Sequence, residues 1–149
     1  MNLYSASKII NKFPRCRVAV LGDVMLDSAI WGVVERISPE APVPIVRVQR
    51  ETFMPGGAAN VANNIRSLSG QVDLIGLVGS DNSRRVLETE LRRRKISSRH
   101  LLIDQSRPTI RKTRVMGIPQ HQLLRIDQET DIPPQKAIEK KLFCESGRL

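Results

Sequence analysis

The chain has 149 residues, of which 40% are hydrophobic and two are cysteines, and its formal net charge at pH 7 is +9. This length suits one modest domain or part of a larger one, and two cysteines exclude a disulfide framework. The sequence shows neither a membrane span nor a secretory signal, so we expect a cytoplasmic protein with no part in a membrane.

The first predicted element is a buried strand over residues 17–21, which a Gly-Asp pair ends. Its shortness and its β-branched residues favour a strand. Ligands bind beside the carboxyl ends of parallel strands, so Asp23 is a candidate acceptor of hydrogen bonds from hydroxyl groups. The alternative is that Asp23 caps a helix. If the next segment is helical, Asp27 shares a face with Asp23.

Three prolines between residues 39 and 44 come next. They forbid a helix and predict an extended, exposed segment. Residues 45–48 then follow as an edge strand.

A Gly-Gly pair, Gly56 and Gly57, precedes a predicted helix that extends to about Leu68, with Gly70 as its C-cap. Without Cβ atoms, the two glycines let backbone N–H groups approach a ligand, and a helix N-terminus favours an anion or a polar oxygen. Asn60, in the first turn, both donates and accepts hydrogen bonds. The alternative is a tight loop that only enters a helix.

A second apolar strand is predicted over residues 72–79, followed by a helix that Ser80 or Asp81 caps. Residues 101–103 are a third strand candidate. The alternation of strands and helices predicts a parallel α/β sheet.

Residues 109–116 and 122–127 predict a β-hairpin, which within an α/β order suggests a small lid. Lys112 and Arg114 are two residues apart, so they share a strand face with Cα atoms about 7 Å apart. Such a pair suits a phosphate group, and the alternative is the charged outer face of an exposed hairpin. A short helix is predicted up to residue 142, and no periodicity beyond it.

Most of the net charge lies between Arg84 and Arg114, where eleven basic residues accompany three acidic ones. No aromatic residues are interleaved with them, so a solvated helix face is favoured over a nucleic-acid interface. His100 and His121 have no partners at metal-ligand spacing. We therefore expect both histidines on the surface and no metal site.

Five segments occur in order and at suitable distances: GDVMLD at 22–27, RISPEAPVP at 36–44, PGGAANVA at 55–62, KTR at 112–114 and QLLRID at 122–127. Together they resemble the N-terminal half of the D-glycero-β-D-manno-heptose-7-phosphate kinases, which are ribokinase-like carbohydrate kinases that serve ADP-heptose and lipopolysaccharide core biosynthesis. The glycine motif alone indicates the wider family, whereas the proline-rich string is specific to the heptose enzymes.

The resemblance implies the fold and the assembly. It implies an α/β chain that is a truncated, N-terminal part of a ribokinase-like α/β/α sandwich with a small β-strand lid. The partial kinase domain covers residues 1–142, its lid segments are about 33–53 and 108–127, and residues 143–149 are a divergent tail. In this family the lid also pairs subunits, which implies a homodimer.

The resemblance also implies the site. Asp23 holds sugar hydroxyls, and Gly56, Gly57 and Asn60 line the sugar site. Four further residues lie near the heptose phosphate or its hydroxyls: Asp27, Arg36, Lys112 and Arg114. Residues 28–31 and 117–121 depart from the usual pattern of the heptose enzymes.

The family's ATP site and catalytic Asp belong to the second half of the kinase domain, and no residue here matches the catalytic base. ATP and Mg²⁺ are thus implied for the full-length domain, and we expect neither to bind this chain alone. We expect weak sugar-phosphate binding without phosphorylation. The alternatives are a non-catalytic dimerising remnant, a basic nucleic-acid-binding domain, or a split enzyme whose missing half is a second chain.

Overall fold

The computed structural model describes residues 3–118 and 121–147 and folds them into two sheets flanked by helices. The helices are α1 (Leu3–Ile10), α2 (Ala58–Ser67), α3 (Asn82–Arg93) and α4 (Lys136–Ser146). The strands are β1 (Arg17–Leu21), β2 (Val24–Ile37), β3 (Pro44–Gly57), β4 (Gln71–Val78), β5 (Leu101–Ile103), β6 (Ile110–Gly117) and β7 (His121–Gln128). We call β1-β4-β5 the inner sheet and β3-β2-β6-β7 the outer sheet.

The inner sheet is parallel, as the alternation of strands and helices predicts. Leu74 and Val78 of β4 belong to the buried core, together with residues of α2 and α3. Leu77 is an odd number of residues away from both, and it lines a cavity with Leu142 and Phe143 of α4. Because side chains alternate along a strand, α2 and α3 cover one face of this sheet and α4 lies on the other.

The outer sheet is built on a long antiparallel hairpin of β2 and β3, beside which β6 runs parallel to β2 and β7 antiparallel to β6. The expected hairpin of β6 and β7 is confirmed, although two residues of its turn, 119 and 120, lie outside the described residues. The predicted edge strand is also confirmed as β3, but it is much longer than expected and continues to Gly57.

The helical option for the segment after Asp23 is wrong, since that segment is strand β2. Val24, Leu26 and Ser28 are buried, whereas the residues between them are only partly covered. This alternation has the period of a strand. Asp27 therefore projects from the outer sheet instead of from a helix.

The helix after the glycine pair is confirmed as α2, but its end differs from the prediction. The left-handed residue there is Ser69, with φ 66°, whereas Gly70 donates its N–H to the carbonyl of Ile65. At α3 the cap is Asp81 and not Ser80, because the Asp81 carboxylate accepts a hydrogen bond from the Arg84 N–H. Helix α1 was not expected, and α4 extends past residue 142.

Candidate functional site

A hydrogen bond joins the carboxyl end of β1 to the start of α2. The carbonyl of Asp23 accepts it from the N–H of Ala58 at 2.8 Å. Gly57 lies between these segments with φ +54°, and a Cβ atom there would collide with the Asp23 carbonyl oxygen. Glycine is therefore required at position 57, both because of its positive φ and because two segments of the chain approach each other closely there.

Gly56 and Asp27 are in contact across the β2–β3 hairpin. A Cβ atom at Gly56 would lie 2.5 Å from Oδ2 of Asp27. The Asp27 carboxylate thus lies directly over the buried glycine, which is next in the chain to Gly57 at the start of α2. Asn60 is exposed in the first turn of that helix. Asp23, Asp27, Gly56, Gly57 and Asn60 are therefore grouped at one junction of the chain.

Lys112 and Arg114 of β6 lie on the same face as Asp27. Asp27 is opposite Lys112 in the strand register, and Arg114 Nη1 donates to Asp27 Oδ1 at 2.9 Å. The side chains of Lys112, Arg114 and Asp27 are 20%, 39% and 31% exposed, so solvent reaches all three. This face of the outer sheet is the one that continues from the glycine pair.

Strand β7 and the residues after it add charges that sequence reasoning did not assign to the site. Lys112 Nζ donates to Glu129 Oε2 at 2.9 Å and to Asp127 Oδ2 at 3.3 Å, and Arg125 donates to Asp127 at 2.8 and 2.9 Å. The sequence does contain an indication of these ion pairs. Arg125 and Asp127 are two residues apart on β7, the strand that pairs with the strand of Lys112 and Arg114.

These ion pairs hold the cations charged and in place. The hydrogen bond with Glu129 raises the pKa of Lys112 above its usual value, against the effect of desolvation, and Asp127 adds to the rise. The bond with Arg125 lowers the pKa of Asp127, with a smaller contribution from Lys112. Three cations and three carboxylates thus lie close together, with Arg114 and Arg125 opposite each other in the strand register. The forked guanidinium groups of these two residues suit an anion that bears several oxygens.

A cavity of about 330 Å³ adjoins Asp23 at the carboxyl ends of β1 and β4. Its wall is mainly apolar and includes Leu21, Leu77, Pro108 and Phe143. This is the edge of a parallel sheet at which ligands ordinarily bind. Asp23 itself is exposed to solvent beside this cavity.

Arg36 is the one predicted site residue that the structure does not bring to this junction. It follows Asp27 by nine residues along β2, which corresponds to about 30 Å of strand. There it is exposed and lines a shallow groove with Glu35 and Arg47 near the end of the β2–β3 hairpin.

The expectation that His100 is a surface residue is wrong. Its side chain is only 14% exposed, because Nδ1 lies 2.7 Å from Glu145 of α4 and Nε2 accepts a hydrogen bond from Arg99 at 2.7 Å. The partner carboxylate comes from a helix 45 residues away, so local spacing gave no sign of it. His121 is exposed, as expected.

In the part of the chain that the structure describes, no three His, Cys, Asp or Glu side chains are arranged to hold a metal ion. The described helices also include none that is long and apolar enough to cross a membrane.

The profile of the pfkB family carbohydrate kinase matches residues 16–134. A D-beta-D-heptose 7-phosphate kinase of Bordetella bronchiseptica is 48% identical over 134 residues, which are 90% of this chain and 41% of that protein. The Bifunctional protein HldE of Desulfatibacillum aliphaticivorans is 46% identical over 121 residues, which are 81% of this chain and 24% of that protein. The chain therefore spans well under half the length of these relatives.

Among solved structures, the chain is similar to phosphofructokinase-2 from Escherichia coli in complex with fructose-6-phosphate. The TM-score is 0.65 at 20% identity, and the match covers 90% of this chain and 42% of that one. At this identity the likeness concerns the fold alone. It confirms the ribokinase-like α/β fold that the sequence motifs predict.

Proposed function

Because this chain belongs to the pfkB family of carbohydrate kinases, we propose that it is the sugar-phosphate-binding part of a heptose 7-phosphate kinase. The whole protein would transfer the γ-phosphoryl group of ATP to a hydroxyl of D-glycero-β-D-manno-heptose 7-phosphate, a cytoplasmic step in the supply of ADP-heptose for lipopolysaccharide. The observation that supports this proposal best is the ion-paired face of Asp27, Lys112, Arg114 and Arg125 beside the glycine pair.

On the sugar side, the proposal gives the Asp23 carboxylate the role of accepting hydrogen bonds from sugar hydroxyls. The N–H of Ala58 is already bonded to the Asp23 carbonyl, so other N–H groups at the start of α2 would donate to sugar oxygens, since the start of a helix favours polar oxygens. Asn60 is exposed in that turn and carries both a donor and an acceptor. Gly56 contributes the close approach of the backbone rather than a side-chain contact.

On the phosphate side, Lys112, Arg114 and Arg125 would bind the 7-phosphate. The bond of Arg114 Nη1 to Asp27 leaves other guanidinium donors for phosphate oxygens. The carboxylates of Asp127 and Glu129 hold the neighbouring cations in position before the anion arrives. A guanidinium gives a two-pronged contact and an ammonium a point charge, so the set suits a phosphate better than a neutral sugar.

We also propose that the chain pairs with a second copy through the outer sheet. Leu124 and Ile126 of β7 are opposite Val115 and Thr113, on the face away from the cations, and they are 48% and 49% exposed. An exposed apolar face on an edge strand is a favourable surface for association. Arg36 lies about 30 Å along the strand from Asp27, so it would meet a sugar phosphate only at the site of the partner copy.

ATP would supply the phosphoryl group in the whole protein, and Mg²⁺ would accompany it. No described residue matches the family's catalytic base, so we propose no role for this chain at the nucleotide end of the reaction. The role proposed for this chain is therefore limited to binding and orienting the acceptor. Positioning is a large part of the catalysis of phosphoryl transfer.

Calorimetric titration tests the proposal with two ligands, the heptose 7-phosphate and the same heptose without phosphate. We expect the phosphorylated sugar to bind more tightly, and Arg114→Gln to weaken its binding roughly tenfold. Lys136→Gln removes the same charge from the exposed start of α4 and serves as the control. Equal binding of both sugars, or equal loss in both variants, would contradict the proposal.

An ATPase assay coupled to the heptose 7-phosphate tests the limited role. We expect no sugar-dependent turnover from the purified chain. Measurable turnover would show that the chain holds the nucleotide end of the reaction as well.

A further inference from the structure

Basic residues collect at the end of the molecule opposite the candidate site. Helices that connect parallel strands run back along the sheet, so α2 and α3 end near the strand starts of β1 and β4. The basic residues at this end are Lys12, Arg15, Arg17, Arg66, Arg92, Arg93, Arg94, Lys95 and Arg99. The carboxylates that pair with them are those of Asp73 and Glu90. This end therefore carries a large excess of positive charge.

A groove of about 360 Å³ lies between the ends of α2 and α3 within this basic region. Its lining consists of Asn63, Arg66, Ser67, Arg93, Arg94 and Lys95. Every one of these side chains carries a hydrogen-bond donor. Four of the six are cations, and no aromatic or aliphatic side chain is among them.

Glu90 fixes two of the four cations. Its carboxylate is 9% exposed and accepts hydrogen bonds at 2.6 Å from both Arg93 and Arg94. Arg94 Nη1 also donates to the Glu90 carbonyl at 2.8 Å. This one carboxylate pairs with two of the four cations of the lining, which leaves a net charge of about +3 around the groove at neutral pH.

Arg66 presents a donor that lacks an acceptor. Its Nη1 donates to the carbonyl of Gly70 at 2.8 Å, which anchors the guanidinium. Its Nε is buried and has no hydrogen-bond partner among the described residues. Arg66 is therefore an anchored cation in the lining of the groove.

We propose that this groove binds the phosphate group of a small soluble anion such as a phosphomonoester or pyrophosphate. A multiply charged tetrahedral group offers several acceptor oxygens to the forked guanidinium groups and to the amide and hydroxyl of Asn63 and Ser67. A monocarboxylate would neutralise only part of the excess charge. The absence of aromatic side chains from the lining disfavours single-stranded nucleic acid, which binds by base stacking.

The groove is distinct from the outer-sheet face and does not depend on the proposed kinase role. Titration of the ¹⁵N-labelled full chain with pyrophosphate tests it through the backbone amide signals. We expect saturable shifts at residues 63–67 and 92–96. Lys112→Gln, which alters the outer-sheet face, is expected to leave these shifts and their midpoint unchanged.

Two variants keep the test falsifiable. Lys95 has φ +58°, a conformation that glycine adopts readily, so Lys95→Gly removes the charge without straining the fold. We expect it to weaken pyrophosphate binding by roughly threefold to fivefold, as for one exposed charge. Arg66→Gln is expected to weaken binding by about tenfold, because it removes an anchored donor. Lys136→Gln is the control for net charge.

Three results would overturn the proposal. The first is the absence of saturable shifts at the groove with millimolar pyrophosphate. The second is an affinity in Lys95→Gly that equals that of Lys136→Gln. The third is binding of duplex RNA or of anionic phospholipid vesicles at this end without binding of pyrophosphate, which would assign the surface to a polymer or a membrane.

Discussion

Two glycines at the candidate site differ in what surrounds them. A Cβ atom at Gly22 would meet only the Cβ of Ala58, at 3.4 Å, which is ordinary contact. Gly57 has a left-handed conformation, and a Cβ atom there would collide with the Asp23 carbonyl oxygen. Position 57 therefore requires glycine, whereas position 22 tolerates alanine.

We predict that Gly57→Ala lowers the free energy of unfolding by roughly 1–3 kcal/mol, through backbone strain and the displaced Asp23 carbonyl. Gly22→Ala, the matched control, is expected to change it by less than about 0.5 kcal/mol. Urea denaturation of both variants measures the difference. Equal stability of the two would contradict the described loop geometry.

Asp104 is a buried carboxylate that is fully bonded. It accepts from the N–H and hydroxyl of Ser106 at 2.9 and 2.6 Å and from Arg107 Nε at 2.8 Å. The bonds from Ser106 are the main cause that lowers the pKa of Asp104, burial opposes them, and Arg107 lowers it further. The folded state therefore stabilises the ionised carboxylate.

Because the folded pKa lies below the unfolded one, this stabilisation is present above the unfolded pKa of about 3.9 and is lost as pH falls through the folded pKa. We predict that Asp104→Asn lowers the free energy of unfolding at pH 7 by about 1–3 kcal/mol and flattens its decline in acid. Denaturation between pH 7 and pH 3 measures both effects. Asp131→Asn, at an exposed position, is the control, and parallel pH profiles for the two variants would refute the role given to Asp104.

At the scale of single residues, the sequence predicts the positions of residues whose partners are near them in the chain. The common face of Lys112 and Arg114 follows from strand spacing, and the glycine pair from its place before a helix. The pairing of His100 with Glu145 depends on how α4 crosses the sheet, which local spacing does not encode. The left-handed conformation of Ser69 also has no local signal, since glycine or asparagine is the usual residue there.

Among the elements, α3 and β6 are joined by one side chain. Asp81 Oδ1 accepts from the Arg84 N–H at 2.9 Å, and its Oδ2 accepts from the Thr109 N–H at 2.7 Å. The cap of the helix is therefore also a link to the start of the strand that carries the proposed phosphate ligands.

Asp81→Ala is predicted to lower the free energy of unfolding by about 2 kcal/mol, since it leaves two backbone donors without acceptors. Hydrogen exchange at Arg84 and Thr109 is expected to accelerate more than elsewhere. Ser80→Ala is the matched control, because Ser80 is exposed and does not cap the helix. A similar effect of the two substitutions would show that Asp81 is not the link.

The elements of the inner sheet are predictable because short apolar runs alternate with amphipathic helices. Strand β2 is not, because both of its faces carry apolar residues: Leu26 and Ile30 on one face, Met25 and Trp31 on the other. One face packs toward α3 and the other continues from the glycine pair, so the polar alternation of an ordinary surface strand is missing. The sequence therefore did not exclude a helix in the segment that forms this strand of 14 residues.

For the whole molecule, we propose that association depends on the exposed apolar pair Leu124 and Ile126 on β7. We predict that the chain dimerises and that Leu124→Lys with Ile126→Lys yields a monomer, because two charges would be buried in the interface. Analytical ultracentrifugation over a concentration series measures the equilibrium. Ile132→Lys is the control, since this residue is 71% exposed and lies outside the outer sheet. A monomeric parent chain, or a dimer that survives the double substitution, would refute the pairing.

The distribution of charge is also a property of the whole molecule. The basic window between residues 84 and 114 covers both ends of α3, the segments that follow it and strand β6, so its charges do not form one continuous strip. The sequence shows the excess charge, but only the topology shows that these charges lie on separate surfaces.

We propose that this chain holds a sugar phosphate between the glycine pair and the charged face of the outer sheet. The most direct measurement is the pattern of backbone amide shifts when the labelled chain is titrated with heptose 7-phosphate. We predict shifts at residues 56–60, 112–114 and 125–127, of which only those at 56–60 persist with the unphosphorylated heptose. Shifts confined to the basic end of α2 and α3, or the same pattern with both sugars, would contradict the account.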